Sequence, residues 1–229
     1  MDVIILAGGK GTRLRPLTDM MPKPLIPVCG RGTLLRLLDE LPEQIDHIIL
    51  VVGYLHAKIR DAVGTSSQSR PVSYVLQDPL DGTGGALRQS KSFLRSERFM
   101  VLMGDDVYIR ADLERLASLE RGVMVQLREA PRSMDGWKVE HGILQSFIPL
   151  ALGERGLINV GAYVLGKEWF DAPGVLVPGK SDEWSVPHAL PLLFDRYQYP
   201  IIEATFWYPC GTMEEIQLAE EALRQAGRT

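Results

Sequence analysis

The sequence predicts an α/β fold, a mixed, mostly parallel sheet with helices on both faces, and three observations predict it. Apolar runs such as Val3-Ile4-Ile5-Leu6 and Ile48-Ile49-Leu50-Val51-Val52 are continuous rather than alternating, which marks strands covered on both sides. Segments with helical spacing of apolar residues separate these runs, and that alternation places parallel strands in one sheet. Beyond about residue 120 the alternation gives way to strands around a stretch rich in Pro, Gly and Trp, so the second half is built differently.

The elements follow in order. After the first strand, Thr33 is placed to cap a helix carrying leucines at 34, 35, 37, 38 and 41, and His47 to Val52 reads as a buried strand. The scheme repeats with Leu55 to Val63 as helix, Val72 to Leu76 as strand, Gly84 to Leu94 as helix and Phe99 to Met103 as strand. Asp112 to Leu119 makes a further helix. Val123 to Leu127 and Leu157 to Leu165 read as strands of a mixed sheet, Ser185 to Tyr197 as a helix and Ile201 to Phe206 as a strand. Met213 to Ala226 closes the chain as an amphipathic helix, with Thr212 and Glu215 spaced as a capping box. No low-complexity tract or linker divides the chain, so residues 1–229 are expected to form a single domain of two halves, about 1–120 and about 121–229.

At 229 residues and 45% hydrophobic the chain can bury a full core. The 25 basic and 29 acidic residues leave a net charge of -4, so no basic excess points to nucleic acid. The opening Met1-Asp2-Val3-Ile4-Ile5-Leu6 lacks a cationic flank, and its apolar run stops at glycines, so it reads as a strand and not a signal peptide. No apolar run approaches the ~18 residues of a membrane span. A cytoplasmic protein with no membrane partner is expected, with Cys29 and Cys210 as free thiols. His47, His56, His141 and His188 show no metal spacing; Ser185 and His188 lie near Asp182 but without a nucleophile-elbow frame.

The first strand runs into Ala7-Gly8-Gly9-Lys10-Gly11-Thr12-Arg13-Leu14, and Pro22-Lys23-Pro24-Leu25 follows. Glycines allow a tight turn that brings several N–H groups to one anion, and Arg13 and Lys23 supply cations for a polyphosphate. The loop lacks the Lys-Ser/Thr of the Walker pattern, and Leu14 stands where the dinucleotide fingerprint needs a third glycine. Ligands of open α/β sheets gather at the carboxyl ends of the strands. Three polar groupings fall there: the glycine loop, Gln77 with Gly82-Thr83-Gly84-Gly85, and Gly104-Asp105-Asp106. The amide of Gln77 offers a donor and an acceptor together, a match for a pyrimidine edge.

The ordered set Leu6-Ala7-Gly8-Gly9-Lys10-Gly11-Thr12-Arg13-Leu14, Pro16-Leu17-Thr18 and Pro22-Lys23-Pro24-Leu25 resembles the signature of the sugar nucleotidyltransferases, specifically short sugar-1-phosphate uridylyl- or thymidylyltransferases. That resemblance implies a Rossmann-like (GT-A type) fold and transfer of a nucleotidyl group from a nucleoside triphosphate to a sugar 1-phosphate, with release of pyrophosphate. It implies Arg13 and Lys23 as catalytic residues and Leu6, Ala7, Gly8, Gly9, Gly11, Thr12, Gln77, Gly82 and Thr83 as nucleotide-binding residues. Gln77 followed five residues on by Gly82-Thr83 is typical of uridylyl-transferring members, which favours UTP, with dTTP and CTP behind. Asp105 matches the strand-end metal ligand for Mg²⁺, with Asp106 expected to face solvent or to stand behind it. Asn159-Val160-Gly161-Ala162-Tyr163, Gly142 and Glu183 correspond to sugar-side positions.

Two departures stand against this match. The family's Glu-Lys-Pro becomes Phe147-Ile148-Pro149, removing a cation. Its Trp-X-Asp-X-Gly-Thr becomes Trp207-Tyr208-Pro209-Cys210-Gly211-Thr212, removing a second metal carboxylate. These keep open a catalytically impaired nucleotide- or sugar-phosphate-binding regulatory module, and a cytidylyltransferase acting on a phospho-alcohol. The chain stops soon after the core, so the expectation is that it lacks the left-handed β-helix acyltransferase domain of some relatives. Which sugar is used, and whether the chain forms a homo-oligomer, stay open.

Overall fold

The computed structural model describes residues 1–228. Ten strands form one sheet: β1 (Asp2–Ala7), β2 (His47–Val52), β3 (Ser66–Ser67), β4 (Arg70–Leu76), β5 (Arg98–Met103), β6 (Gly122–Glu129), β7 (Met134–Glu140), β8 (Ile143–Leu150), β9 (Arg155–Gly166) and β10 (Ile201–Glu203). Their order is β8-β7-β9-β5-β1-β2-β4-β3, with β6 beside β9 and β10 beside β6. The central strand β1 is flanked in parallel by β2 and β5, and β4 extends the parallel side. The other half turns antiparallel through β9, β7 and β8.

The uninterrupted apolar strands are explained by helices on both faces. Val3 and Ile5 point to one face, where they meet Leu34, Leu37 and Leu38 of α1 (Thr33–Glu40), Ile59 of α2 (His56–Val63) and Leu113 and Leu116 of α4 (Arg110–Ala117). Ile4 and Leu6 point to the other, against Ala86 and Leu87 of α3 (Gly82–Ser90) and Val186, Ala189 and Leu190. Each Val, Leu or Ile among them, removed from water, contributes about 1.5–3 kcal/mol. A third cluster joins Leu14, Ile26, Val28 and Val107 to Ile216, Ala219 and Leu223 of α5 (Met213–Gln225), so the C-terminal helix packs under the glycine-loop segment.

Several expectations are corrected. Thr33 does not cap α1; Gly32 precedes the helix, and the Thr33 hydroxyl reaches the carbonyls of Pro24 (3.2 Å) and Gly104 (3.0 Å). The helix expected over Ser185 to Tyr197 is one α-turn at Val186–Ala189 and a 3-10 turn at Leu190–Leu193, because Pro191 has no N–H to continue the ladder. The strand begun at Ile201 stops at Glu203: Ala204 N makes one more bond, to Val125 O (2.7 Å), and the carboxylate of Asp112 then accepts from Thr205 N (2.7 Å) and Phe206 N (3.0 Å) and turns the chain away. At α5, Thr212 Oγ1 accepts from the Glu215 N–H (3.2 Å), but Glu215 Oε2 accepts from Gly211 N (2.7 Å), so the box closes one residue early. The stretch read as irregular after Leu127 holds the β7–β8 hairpin, whose tip residues His141 and Gly142 have φ of 52° and 76°, the positive values two-residue turns require. Cys29 and Cys210 are free, and among the described residues no helix is long and apolar enough to cross a membrane.

Candidate active site

Backbone bonds continue past the strand ends and draw three loops together. Gly104 N donates to Leu6 O (2.9 Å), Tyr54 N to Gly8 O (3.1 Å) and Gln77 N to Val52 O (2.8 Å). They enclose a cavity of about 490 Å³. The first loop brings Leu6, Ala7, Gly8 and Gly9 to it, the second Gln77, Gly82 and Thr83, and the third Asp105. Lys23 and Glu183 complete the set of expected residues on its wall. Lys10, Pro24, Leu80, Ala86 and Met103 also line it, and sequence reasoning had not singled these out as site residues.

Gly11, Thr12, Arg13, Gly142 and Asn159 are not on the cavity wall. Gly11 has φ of 62°, and a methyl there would come within 2.9 Å of the Lys23 side chain, so this glycine lets Lys23 cross the loop closely. Thr12 is exposed and begins a 3-10 turn that also contains Arg13. The Arg13 guanidinium lies beside Gly211, where a methyl would meet its Nη2 at 2.7 Å and Glu215 Oε2 at 2.9 Å. Gly142 is the hairpin-tip glycine, with nothing within 4 Å of a built Cβ; its carbonyl accepts from Ile201 N (2.9 Å). Asn159 Nδ2 donates to Tyr163 OH (2.7 Å), leaving its buried Oδ1 without a partner.

At the cavity floor Lys23 forms an ion pair and hydrogen bond with Asp105, their side chains 13% and 26% exposed. Burial works against the lysine charge, but the field and hydrogen bond of Asp105, with Asp106 behind, outweigh it and hold the pKa above the ordinary lysine value. Asp106 does not face solvent: it is 7% exposed and accepts from Trp207 Nε1 (3.0 Å). Desolvation, reinforced by the neighbouring Asp105 charge, pushes its carboxyl well above the usual range.

Both sequence departures have a structural counterpart. Pro209 pairs with Asp106 in a two-residue ladder, Tyr208–Pro209 against Asp106–Val107, so an apolar ring stands beside the buried carboxylate. Phe147 stacks on Trp137 at 3.9 Å between ring centroids and on His188 at 4.7 Å, and Ile148 packs against the core. His188 is held by Asp135 (3.1 Å) rather than Asp182, and its Nδ1 meets Ser185 Oγ at 2.6 Å. Ser185 is buried and also accepts from the His188 N–H (3.3 Å), the work of a helix cap rather than a nucleophile.

Among the described residues no group of three or more His, Cys, Asp or Glu could hold a metal alone. Mg²⁺ commonly takes one or two carboxylates and completes its shell with substrate phosphates and water. Asp105, partly exposed on the cavity wall that the glycine loop also lines, fits that mode of binding; Asp106, turned toward Trp207, does not contribute to it.

The second loop is clamped to the segment that carries Glu183. Trp184 N donates to Asp81 O (2.7 Å), Gly84 N to Trp184 O (2.8 Å) and Val186 N to Thr83 Oγ1 (3.1 Å). A methyl at Gly82 would fall 2.4 Å from Trp184 O, and Gly82 has φ of 88°, so only glycine fits. The amide of Gln77 is not free to offer both a donor and an acceptor. Its Nε2 donates to Asp81 Oδ1 (3.0 Å) and Gly82 O (2.9 Å). The Asp81–Gln77 contact was missed because an Asp before a Gly at a helix start reads as an N-cap, and here that side chain makes no capping bond.

Residues 2–121 match the family model described as Nucleotidyl transferase. The chain is 31% identical over 218 residues to the bifunctional protein GlmU of Methanococcus maripaludis, covering 92% of this chain and 51% of that protein. It is 32% identical over 227 residues to mannose-1-phosphate guanylyltransferase of Mycobacterium tuberculosis, covering 94% and 62%. The chain thus spans about half the length of the first curated relatives it matches. A solved putative glucose-1-phosphate thymidylyltransferase from Bacillus anthracis superposes with a TM-score of 0.78 over 98% of this chain and 95% of that one, at 22% identity, a likeness of fold.

Proposed function

This chain belongs to the nucleotidyl transferase family, and from that premise we propose that it is a sugar-1-phosphate nucleotidylyltransferase, joining a nucleoside triphosphate to a sugar 1-phosphate and releasing pyrophosphate. The observation that carries the reading is the convergence of the glycine loop, the Lys23–Asp105 pair and the Gln77–Gly82 corner on one cavity. An oxygen of the sugar 1-phosphate forms a bond to the α-phosphorus while the bond to the bridging oxygen of the β-phosphate breaks, and pyrophosphate departs. The attacking phosphate is already anionic, so no general base is needed, and positioning with charge stabilisation supplies the rate. Lys23, kept charged by its acidic neighbours, holds the two phosphate groups together against their repulsion. Arg13, beside Gly211 and off the cavity wall but near enough for its charge to be felt at Lys23, acts at longer range on charge developing in pyrophosphate. Mg²⁺ on Asp105, when bound, neutralises phosphate charge. UTP is the favoured nucleotide, supported by Gln77 and Gly82-Thr83 at the spacing of uridylyl-transferring members.

A second reading, a binding module without turnover, is favoured by the aromatic stack at Phe147 and the apolar ring of Pro209 where cation and carboxylate are missing. One experiment separates the two: pyrophosphate release with Mg²⁺, each nucleoside triphosphate and a panel of sugar 1-phosphates. Release that requires both UTP and one sugar 1-phosphate is the expected result. No release, with UTP binding retained in calorimetry, overturns the transferase reading in favour of the module.

A further inference from the structure

Resting on the transferase reading, we propose that Asp81 is a specificity-positioning residue: it fixes the orientation of the Gln77 amide so that only Oε1 faces the nucleotide base. Gln77 is 7% exposed, and both hydrogens of its Nε2 are committed, to Asp81 Oδ1 and to Gly82 O. Flipping the amide would set Oε1 against two acceptor oxygens, so the carboxylate and the carbonyl together select one orientation. In that orientation Oε1 takes no hydrogen bond from the described residues and lies against Gly8 on the cavity wall, 3.0 Å from where a Cβ on Gly8 would sit.

Asp81 is itself held from two directions. Its carbonyl accepts from Trp184 N, and its carboxylate folds over the first turn of α3, where Gly85 makes room: a Cβ there would fall 1.9 Å from Asp81 Oδ1. The consequence is a base pocket that reads a ring N–H with a fixed acceptor. Uracil, thymine and guanine carry an imino N–H on their pairing edge; cytosine and adenine carry a ring lone pair there, which Oε1 repels. Without Asp81 only the Gly82 carbonyl opposes the flip, so Gln77 can turn its amide at lower cost and accept cytosine as well.

The test compares kcat/KM, and calorimetric Kd, for UTP or GTP, whichever the unmodified protein uses better, against CTP. Asp81→Ala is expected to reduce that discrimination about tenfold, through KM with kcat within about twofold, the scale of one net neutral hydrogen bond. Gly85→Ala, which displaces the carboxylate without removing it, is expected to do the same. Asp81→Asn keeps an acceptor oxygen in place and is expected to retain the discrimination. An unchanged ratio in Asp81→Ala and Gly85→Ala overturns the inference while leaving the transferase reading intact, and so does an Asp81→Asn variant that behaves as Asp81→Ala. If the unmodified protein binds no nucleoside triphosphate, the transferase reading falls and this inference with it.

Discussion

Lys23 shows how the surroundings of one buried side chain can hold it charged. It is fenced by Pro22 and Pro24, crosses Gly11 at close range and ends on Asp105 in the cavity floor. Lys23→Ala is expected to lower pyrophosphate release about 100-fold, the scale on which a preorganised charge-stabilising group acts, with KM for the nucleotide changed much less; steady-state kinetics checks it. Gly82→Ala is expected to destabilise the fold by about 2–3 kcal/mol, through positive φ and the collision with Trp184 O, and to abolish nucleotide binding; urea unfolding and calorimetry read the two effects. Residues of this kind were legible in sequence because a cation between prolines and a glycine before a helix have few idle uses. Asp106 was not: adjacent carboxylates look alike in sequence, and only the partner Trp207, 101 residues away, reveals which one is buried.

Elements were legible where local signals agree with tertiary demand and obscure where a distant group intervenes. The parallel strands and α1 to α4 lie close to their expected ranges because their apolar spacing is unambiguous. The strand after Pro200 and the turns after Ser185 were misjudged in extent because Asp112 and Pro191 cut them short. At α5 the Thr212 hydroxyl caps the first turn by accepting from the Glu215 N–H, and it makes no bond to Lys23 or Asp105. Thr212→Ala is expected to cost about 1 kcal/mol of stability and to leave KM for the sugar 1-phosphate within twofold, read by denaturant unfolding and kinetics on the same preparation.

For the whole molecule, the site is a junction: strands from the parallel half supply the glycine loop, Gln77 and Asp105, and the later segment supplies Glu183. That the three loops meet at one cavity was legible because strand ends converge in any open α/β sheet, whereas the places of Gly142 and Asn159 were not. Gly142 is spent on a hairpin tip and Asn159 on Tyr163, roles fixed by antiparallel register that no local motif announces. UTP at about 100 times its dissociation constant is expected to add about 2.7 kcal/mol to stability. That corresponds to a rise of roughly 5–10 °C in the unfolding midpoint for a chain of this size, with CTP giving a smaller rise; differential scanning fluorimetry checks both. The clamp between Trp184 and the Asp81–Gly84 loop carries a further consequence. Because the segment bearing Glu183 and the loop bearing Gly82 share hydrogen bonds, ordering of one is expected to order the other and, on the transferase reading, to link the two substrates thermodynamically. Occupancy by the nucleotide should tighten the sugar 1-phosphate, and by reciprocity the sugar 1-phosphate should tighten the nucleotide by the same factor.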